Sequence, residues 1–214
     1  MTFIYKEEFI IKKSKNKTVL HIGATDYPYH IVKYNRKKLL HPKINAISKE
    51  TIGIDNNTKS INYLKSKGIS NIYYGDIINN KYSKEVIAKK YDLILFPDVI
   101  EHLENPGLAL RNIKQFMNKK TILLLTTPNV WSYKYIFNHF RKKEFNHPDH
   151  CVWFSEGTLR KLLNGCGYKI ININYGKWGC SKDYPKWYGK VFQKLILNNH
   201  SWMSPVIIME LKLK

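Results

Sequence analysis

Short apolar, β-branched runs alternate along this chain with stretches whose apolar positions recur every three or four residues, the two periods of strand and helix. Thr18-Val19-Leu20-His21-Ile22-Gly23 is the first such run; closed by a glycine, it predicts a buried strand, and residues 24–40 then supply a loop and helical material. Glu50-Thr51-Ile52-Gly53-Ile54-Asp55 predicts a second strand ending in an acid, followed by helix-compatible spacing over 56–67 up to Gly68. Asn71-Ile72-Tyr73-Tyr74-Gly75-Asp76 predicts a third strand and 83–90 a helix. Tyr91-Asp92-Leu93-Ile94-Leu95-Phe96 is the clearest buried strand of the chain. A helix over 108–117, a strand over 121–126 and a turn at Thr127-Pro128-Asn129 follow. Ser155 caps a helix over 155–163 that stops at Gly165 and Gly167, and 168–174 and 206–213 are the last strands.

Such strand–helix repetition requires a mostly parallel sheet, because parallel neighbours are joined by right-handed crossovers that place helices on both faces. The predicted fold is α/β: a Rossmann-like, doubly wound, mostly parallel seven-stranded sheet. The 214 residues suit one domain, with its core over 18–174, an aromatic and basic lid or insertion over 175–205 and the last strand over 206–213. Ligands of such sheets bind beyond the carboxyl ends of the strands, so chemistry is expected in the residues that follow each strand.

A hydrophobic fraction of 43% and an aromatic fraction of 14% are those of a globular protein, without low-complexity tracts or fixed-period repeats. Residues 1–8 lack the apolar stretch and cleavage site of a secretory signal, and no apolar run reaches the roughly 18 residues of a membrane span. A cytoplasmic protein is expected. Cys151, Cys166 and Cys180 contain no CxxC pair, which argues against a disulfide framework or a structural zinc site. The formal net charge of +20 favours anionic partners. Yet among 36 basic residues only Arg36, Arg111, Arg141 and Arg160 carry the guanidinium fork used in specific phosphate recognition, so nucleic acid is not the favoured partner.

In a doubly wound sheet a tight turn after the first strand admits a cofactor, and a carboxylate ending the second can bind ribose hydroxyls. Here those positions are Gly23 and Asp55, with Gly75-Asp76-Ile77 after the third strand and Asp92 to Phe96 as the fourth. In that order, Val19-Leu20-His21-Ile22-Gly23-Ala24-Thr25-Asp26 and Phe96-Pro97-Asp98-Val99-Ile100-Glu101-His102-Leu103 resemble the class I methyltransferases. The resemblance is to the type 11/12-like group with a Glu-His-Leu segment after strand four, which includes small glycan-cluster and ubiquinone-pathway enzymes. Thr126-Thr127-Pro128-Asn129 and His150-Cys151-Val152-Trp153-Phe154-Ser155 fit the same layout, and the likeness extends over about residues 18–174.

The resemblance implies a methyltransferase dependent on S-adenosylmethionine. Gly23, flanked by Ala24, would lie against the methionine end of the cofactor, Asp55 beside Asn56 would take the ribose hydroxyls, Asp76 with Ile77 would hold the adenine, and Phe96 would begin the wall beside the methionine moiety. The family acid before the glycine is His21 in this chain, and Asp26 is the residue placed to stand in for it. That departure also keeps open a non-catalytic binding protein built on the same fold.

Methyl transfer from a sulfonium is an in-line substitution that needs a deprotonated, aligned nucleophile, and histidine is the natural base near neutral pH. His102 follows the fourth strand, and His147 and His150 lie on a loop that the fold can bring over the same rim; His102 and His150 are the expected catalytic residues, and His147 reads mainly as turn chemistry. No metal is required by this reading. The alternative places Asp98, Glu101 and His102 on one helical face, with His150 as a further ligand, around a divalent ion, a pattern similar to the Glu-x-x-Glu-His motif of ubiquinone-pathway and small-RNA 2′-O-methyltransferases. The segment Trp131-Ser132-Tyr133-Lys134-Tyr135-Ile136-Phe137 is expected to line the acceptor pocket, and the basic, aromatic stretch 184–197 to form a lid or to rest on an anionic membrane surface. The favoured reaction is O-methylation of a small polar or glycan acceptor in surface-polysaccharide biosynthesis, with an RNA 2′-O-methyltransferase as the second enzyme reading.

Overall fold

The computed structural model describes residues 4–140, 147–178 and 200–214. Cys180, Arg141 and the proposed lid or membrane stretch at 184–197 lie outside the described residues. Seven strands form the body of the sheet: β2 (Thr18–Ile22), β3 (Glu50–Asp55), β4 (Ile72–Asp76), β6 (Leu93–Pro97), β7 (Ile122–Pro128), β8 (Tyr168–Lys177) and β9 (Val206–Leu213). Two further strands, β1 (Ile4–Tyr5) and β5 (Lys81–Tyr82), extend its edges, giving the order β1-β8-β9-β7-β6-β2-β3-β4-β5. The expectation of seven strands becomes nine because each added strand has two residues, too few to display a period. The central run β7-β6-β2-β3-β4 is parallel throughout, and β9 runs antiparallel between β7 and β8.

The helices are α1 (Lys6–Ser14), α2 (His30–Asn35), α3 (Leu40–Asn45), α4 (Thr58–Ser66), α5 (Lys84–Ile87), α6 (Pro106–Ile113), α7 (Tyr133–Phe140) and α8 (Glu156–Gly165). Local chemistry sets several boundaries. Asn57 and Asn105 each accept from a backbone N–H in the first turn of α4 and α6, and Pro106 occupies the first turn of α6, where its missing N–H costs nothing. Ser155 and Thr158 close a reciprocal capping box at α8. The expected helix at 83–90 is a single turn, and α6 starts two residues earlier than its apolar spacing suggests because Asn105 caps it.

Alternate residues of the strands feed opposite faces. Leu20, Ile22, Ile94, Phe96, Leu123 and Leu125 pack with Ala109, Leu110 and Ile113 of α6 and with Leu159 and Leu163 of α8. Val19, Leu93, Leu95 and Leu124 pack on the other face with Ile10 of α1 and with Leu40 and Ile44 of α3. A third cluster joins Ala24 and Ile72 to Ile61 and Leu64 of α4. Strands buried on both faces are therefore almost continuously apolar, which is why their runs stand out in the sequence. Among the described residues no helix is long and apolar enough to cross a membrane.

Candidate functional site

The carboxyl ends of β2, β3, β4, β6 and β7 share one edge of the parallel sheet, so Gly23, Asp55, Asp76, Asp98 and Asn129 are neighbours along one rim. Gly23 has φ +74°, and a Cβ built on it would stand 2.5 Å from Val99 Cγ2, so the turn admits glycine alone. The N–H groups of Gly23 and Ala24 both donate to the Ile54 carbonyl, at 2.9 and 3.0 Å. Asp55 Oδ2 accepts from the backbone N–H and hydroxyl of Thr25 at 3.1 and 2.7 Å, while Oδ1 accepts from Asn57 N–H at 3.0 Å. The acid ending β3 thus ties down the loop after β2. Asn56 beside it is exposed.

Asp26, at φ +58°, pairs through Oδ1 with Lys33, and its Oδ2 is buried with no hydrogen-bond partner. Asp76 accepts from the N–H groups of Ile78 and Asn79 and from the Asn79 amide. Burial acts to raise the pKa of Asp76, but these hydrogen bonds and Lys81 outweigh it and hold the carboxyl below its usual range. The Ile77 side chain is buried at the edge of the core. Phe96 is wholly buried and belongs to the core cluster with Ile22 and Leu125.

His21 points into the α3 face of the sheet. Its Nδ1 lies 3.3 Å from His41 Nδ1, and His41 Nε2 lies 3.2 Å from Asn71 Oδ1. Asn71 Nδ2 donates to the Thr51 carbonyl, so Oδ1 accepts from His41 Nε2–H, and His21 Nδ1–H donates to the bare His41 Nδ1. Burial drives both pKa values down, that of His41 to about 4. Gly53 makes room for this pair, since a Cβ there would stand 2.7 Å from His41 Cε1. The residue at the position of the family acid is therefore a neutral core group.

Beyond β6 the chain does not continue as the expected helical face. Asp98 is left-handed at φ +51°, and the helical turn that follows is a 3₁₀ turn over Ile100–His102. The three side chains of the metal alternative consequently take different partners. Asp98 pairs with Lys6 of α1 and accepts from Thr126 Oγ1 at 2.8 Å. Glu101, 1% exposed, accepts from Thr127 Oγ1 at 3.0 Å through Oε2, and its Oε1 is buried without a partner. Burial, with Asp98 adding to it, pushes the Glu101 carboxyl up to about 8. His102 turns towards the loop after α7, where its Nδ1–H donates to the Asp149 carbonyl at 3.1 Å.

That loop brings His147 and His150 to His102. Among the described residues, the group of potential metal ligands whose donor atoms all lie within 4.8 Å of one another is His102, His147 and His150. Burial lowers the pKa of His102 and takes that of His150 to about 4, the neighbouring histidines adding to the shift. His150 also lines a narrow cavity with Glu101, Thr127, Tyr135 and Trp153; its free volume is about 10 Å³, on the scale of one water. A larger groove of about 810 Å³, lined by Asn45, Glu50 and Asn71 among others, opens at the amino ends of the strands, the edge away from this site.

Most of the site residues expected from the sequence share the carboxyl rim: Gly23, Ala24, Asp26, Asp55, Asn56 and Asp76 follow β2, β3 and β4, and His102 and His150 meet beyond β6. Sequence reading missed Lys6, Tyr29 and the hydrogen bond of Thr127 to Glu101, and it took His147, although on the same loop as His150, mainly for a turn residue. Tyr29 Oη lies 3.1 Å from His147 Nε2 and connects the loop after β2 to the histidine loop. Of the expected aromatic segment, Tyr135 reaches the cavity while Trp131 stays exposed. A glycine turn that a Cβ would fill and the orphaned Oδ2 of Asp26 are what a bound zwitterionic nucleoside cofactor requires: a close backbone approach and an acceptor for its ammonium.

A methyltransferase-domain family model, Methyltransf_23, matches residues 31–173, two thirds of the chain, and leaves out the altered first motif at 18–26. No curated protein matches by sequence. Among solved structures, the small RNA methyltransferase HEN1 is similar with a TM-score of 0.62 at 16% identity, over 98% of this chain and 25% of HEN1. The chain thus spans a quarter of that protein's length. A S-adenosylmethionine-dependent methyltransferase of Thermotoga maritima, described as a possible histamine N-methyltransferase, gives 0.62 at 13% identity over 97% and 87% of the two chains. Magnesium protoporphyrin IX methyltransferase from Synechocystis PCC 6803, solved with S-adenosylhomocysteine, gives 0.61 at 13% identity over 98% and 82%. At these identities the structural likeness is one of fold, and the family match supplies the rest: the chain belongs to the methyltransferase-domain family and is a class I S-adenosylmethionine-dependent methyltransferase.

Proposed function

We propose that the chain transfers the methyl group of S-adenosylmethionine to a hydroxyl oxygen of a small polar acceptor, a sugar or surface-polysaccharide precursor. The observation that carries this reading is Glu101, a buried carboxyl whose Oε1 has no partner, in a cavity walled by Tyr135 and Trp153. A buried polar atom left open is costly unless a ligand completes it. A carboxyl flanked by aromatic rings suits the edge of a polyhydroxylated compound, with one hydroxyl entering a cavity of this size and C–H faces resting on the rings.

On this reading Asp55 with Asn56 takes the ribose hydroxyls, Asp76 with the backbone at Ile77 holds the adenine, and the Gly23–Ala24 turn with Asp26 receives the methionine end. When bound, the cofactor supplies an electrophilic methyl group. The protein aligns the acceptor hydroxyl against Glu101 and draws off its proton at His102 and His150, while the closed rim excludes water.

Titration calorimetry with S-adenosylmethionine and S-adenosylhomocysteine tests the cofactor half. Asp55→Asn keeps the shape of the side chain and removes its charge, and it should weaken binding by roughly 10- to 100-fold. Unchanged affinity would remove Asp55 from the site. Mass-spectrometric detection of methylated sugars and nucleotide-sugars tests the acceptor.

A second reading, methylation of an RNA 2′-hydroxyl, is favoured by the net charge of +20 and the fold likeness to HEN1. Counterion release would then make RNA affinity fall steeply between about 50 and 200 mM salt. RNA that fails to bind at the lower salt would eliminate it.

A further inference from the structure

We propose that His102, His147 and His150 form a binding site for one divalent transition-metal ion of the zinc, cobalt or nickel class. The inference rests on the proposed methyl transfer to a hydroxyl and deepens it: with an ion bound, His102 and His150 would serve as its ligands, and the ion would instead lower the pKa of the acceptor hydroxyl so that its proton leaves to water.

The site is built by backbone rather than by chance exposure. His147 and His150 stand at the two ends of one tight turn, closed by a hydrogen bond from His150 N–H to the His147 carbonyl at 3.1 Å. The turn is fastened to the 3₁₀ turn carrying His102: Cys151 and Val152 N–H both donate to the Glu101 carbonyl, at 2.8 and 3.1 Å. The three rings are mutually adjacent, with centroids 4.6, 5.3 and 5.7 Å apart, and all three residues are half-buried.

Donor orientation follows the same residues. Because His102 Nδ1–H donates to the Asp149 carbonyl, its Nε2 carries the lone pair, the tautomer a ligand needs. His147 Nδ1 accepts from the Asp149 N–H at 3.3 Å and lies 3.6 Å from the Asp149 carboxylate, so a proton moved to Nδ1 when Nε2 ligates would meet that carboxylate as its outer partner. The contact of His147 Nε2 with the Tyr29 hydroxyl at 3.1 Å is the one an ion would displace.

Donor atoms within 4.8 Å of one another must close to about 3.4 Å around an ion with bonds near 2.0–2.1 Å, a movement of side-chain torsions. Imidazole donors select zinc, cobalt, nickel or copper over magnesium. Of the nearby carboxylates that would shift the preference towards magnesium, Asp98 is paired with Lys6 and Thr126, and neither it nor Glu101 falls within the 4.8 Å group of donor atoms. Three protein ligands leave a coordination position for the acceptor, where an ion would act as a Lewis acid.

The test uses the full chain without a polyhistidine tag, stripped with chelator and titrated with Co²⁺, read by its visible absorption, and with Zn²⁺ by calorimetry. A cooperative thermal melt followed by circular dichroism reports that each variant is folded. One ion per chain is expected, weakened in His147→Ala and in His102→Ala by more than the about 10- to 100-fold that loss of an outer partner costs, and unchanged in His139→Ala, which alters an exposed histidine of α7. A folded chain that takes up no cobalt, or takes it up equally in His147→Ala, overturns the site. Methyl transfer is read separately: activity without metal uptake keeps the enzyme reading and sinks this one, whereas metal uptake without S-adenosylmethionine binding does the reverse.

Discussion

Gly23 and Glu101 show how single residues set the terms of this site. Gly23 combines φ +74° with a space that Val99 closes to 2.5 Å, so Gly23→Ala should cost about 1–3 kcal/mol of stability and lose cofactor affinity, measured by thermal unfolding and calorimetry. A variant that melts like the parent and binds cofactor equally would contradict this. Glu101 has its carboxyl raised from 4.5 to about 8. A carboxyl raised on folding contributes stability that is fully present below its unfolded value and is lost as pH rises through the folded one. The melting temperature of the parent should therefore fall relative to Glu101→Gln between about pH 5 and 9, and parallel pH profiles would show that the carboxyl is not shifted. Gly23 was legible as a turn glycine from the run before it. The state of Glu101 was not, because its burial depends on Thr127 and on Tyr135 and Trp153, all distant in sequence.

At the level of elements, the strands were readable because burial on both faces leaves few polar positions in them, whereas α1 was not. Its nine residues, Lys6–Ser14, bury Lys6, Ile10 and Ser14, a mixed set without an apolar stripe, and its contribution to the site is an ion pair across 92 positions. The segment after β6 was misread for a related reason. Helical spacing predicts a shared face for Asp98, Glu101 and His102, but a left-handed Asp98 stops the helix before it starts, and hydrogen bonds from Cys151 and Val152 decide what His102 meets. The capping box of α8 was half visible, as Ser155 with an acid after it, while Thr158 supplies the reciprocal bond. Ser155→Ala should cost about 1 kcal/mol, which for a chain of this size lowers the melting temperature by about 2–4 °C in a calorimetric scan. Cofactor affinity should stay as it was, since α8 packs beneath the sheet rather than at its rim.

Across the whole molecule, parallel strands gather residues far apart in sequence onto one rim, which is why the order of glycine and acids after successive strands carried the family and why His102 and the histidine loop could be assigned to that rim, though not the contact of the three rings. The antiparallel β9 has a different consequence. It pairs with β7 on one side and β8 on the other, and β1 joins the sheet through β8. On a ribosome, the nascent chain will have released every other described strand before Val206–Leu213 emerges. Until then β8 has nothing to join it to β7, and β1 has no neighbouring strand already tied to the parallel run. The strand pairing of β1 thus waits for the last of the described strands, so a chain stopped before Val206 can build the parallel run with its rim glycine and acids but cannot join the β8 and β1 edge to it.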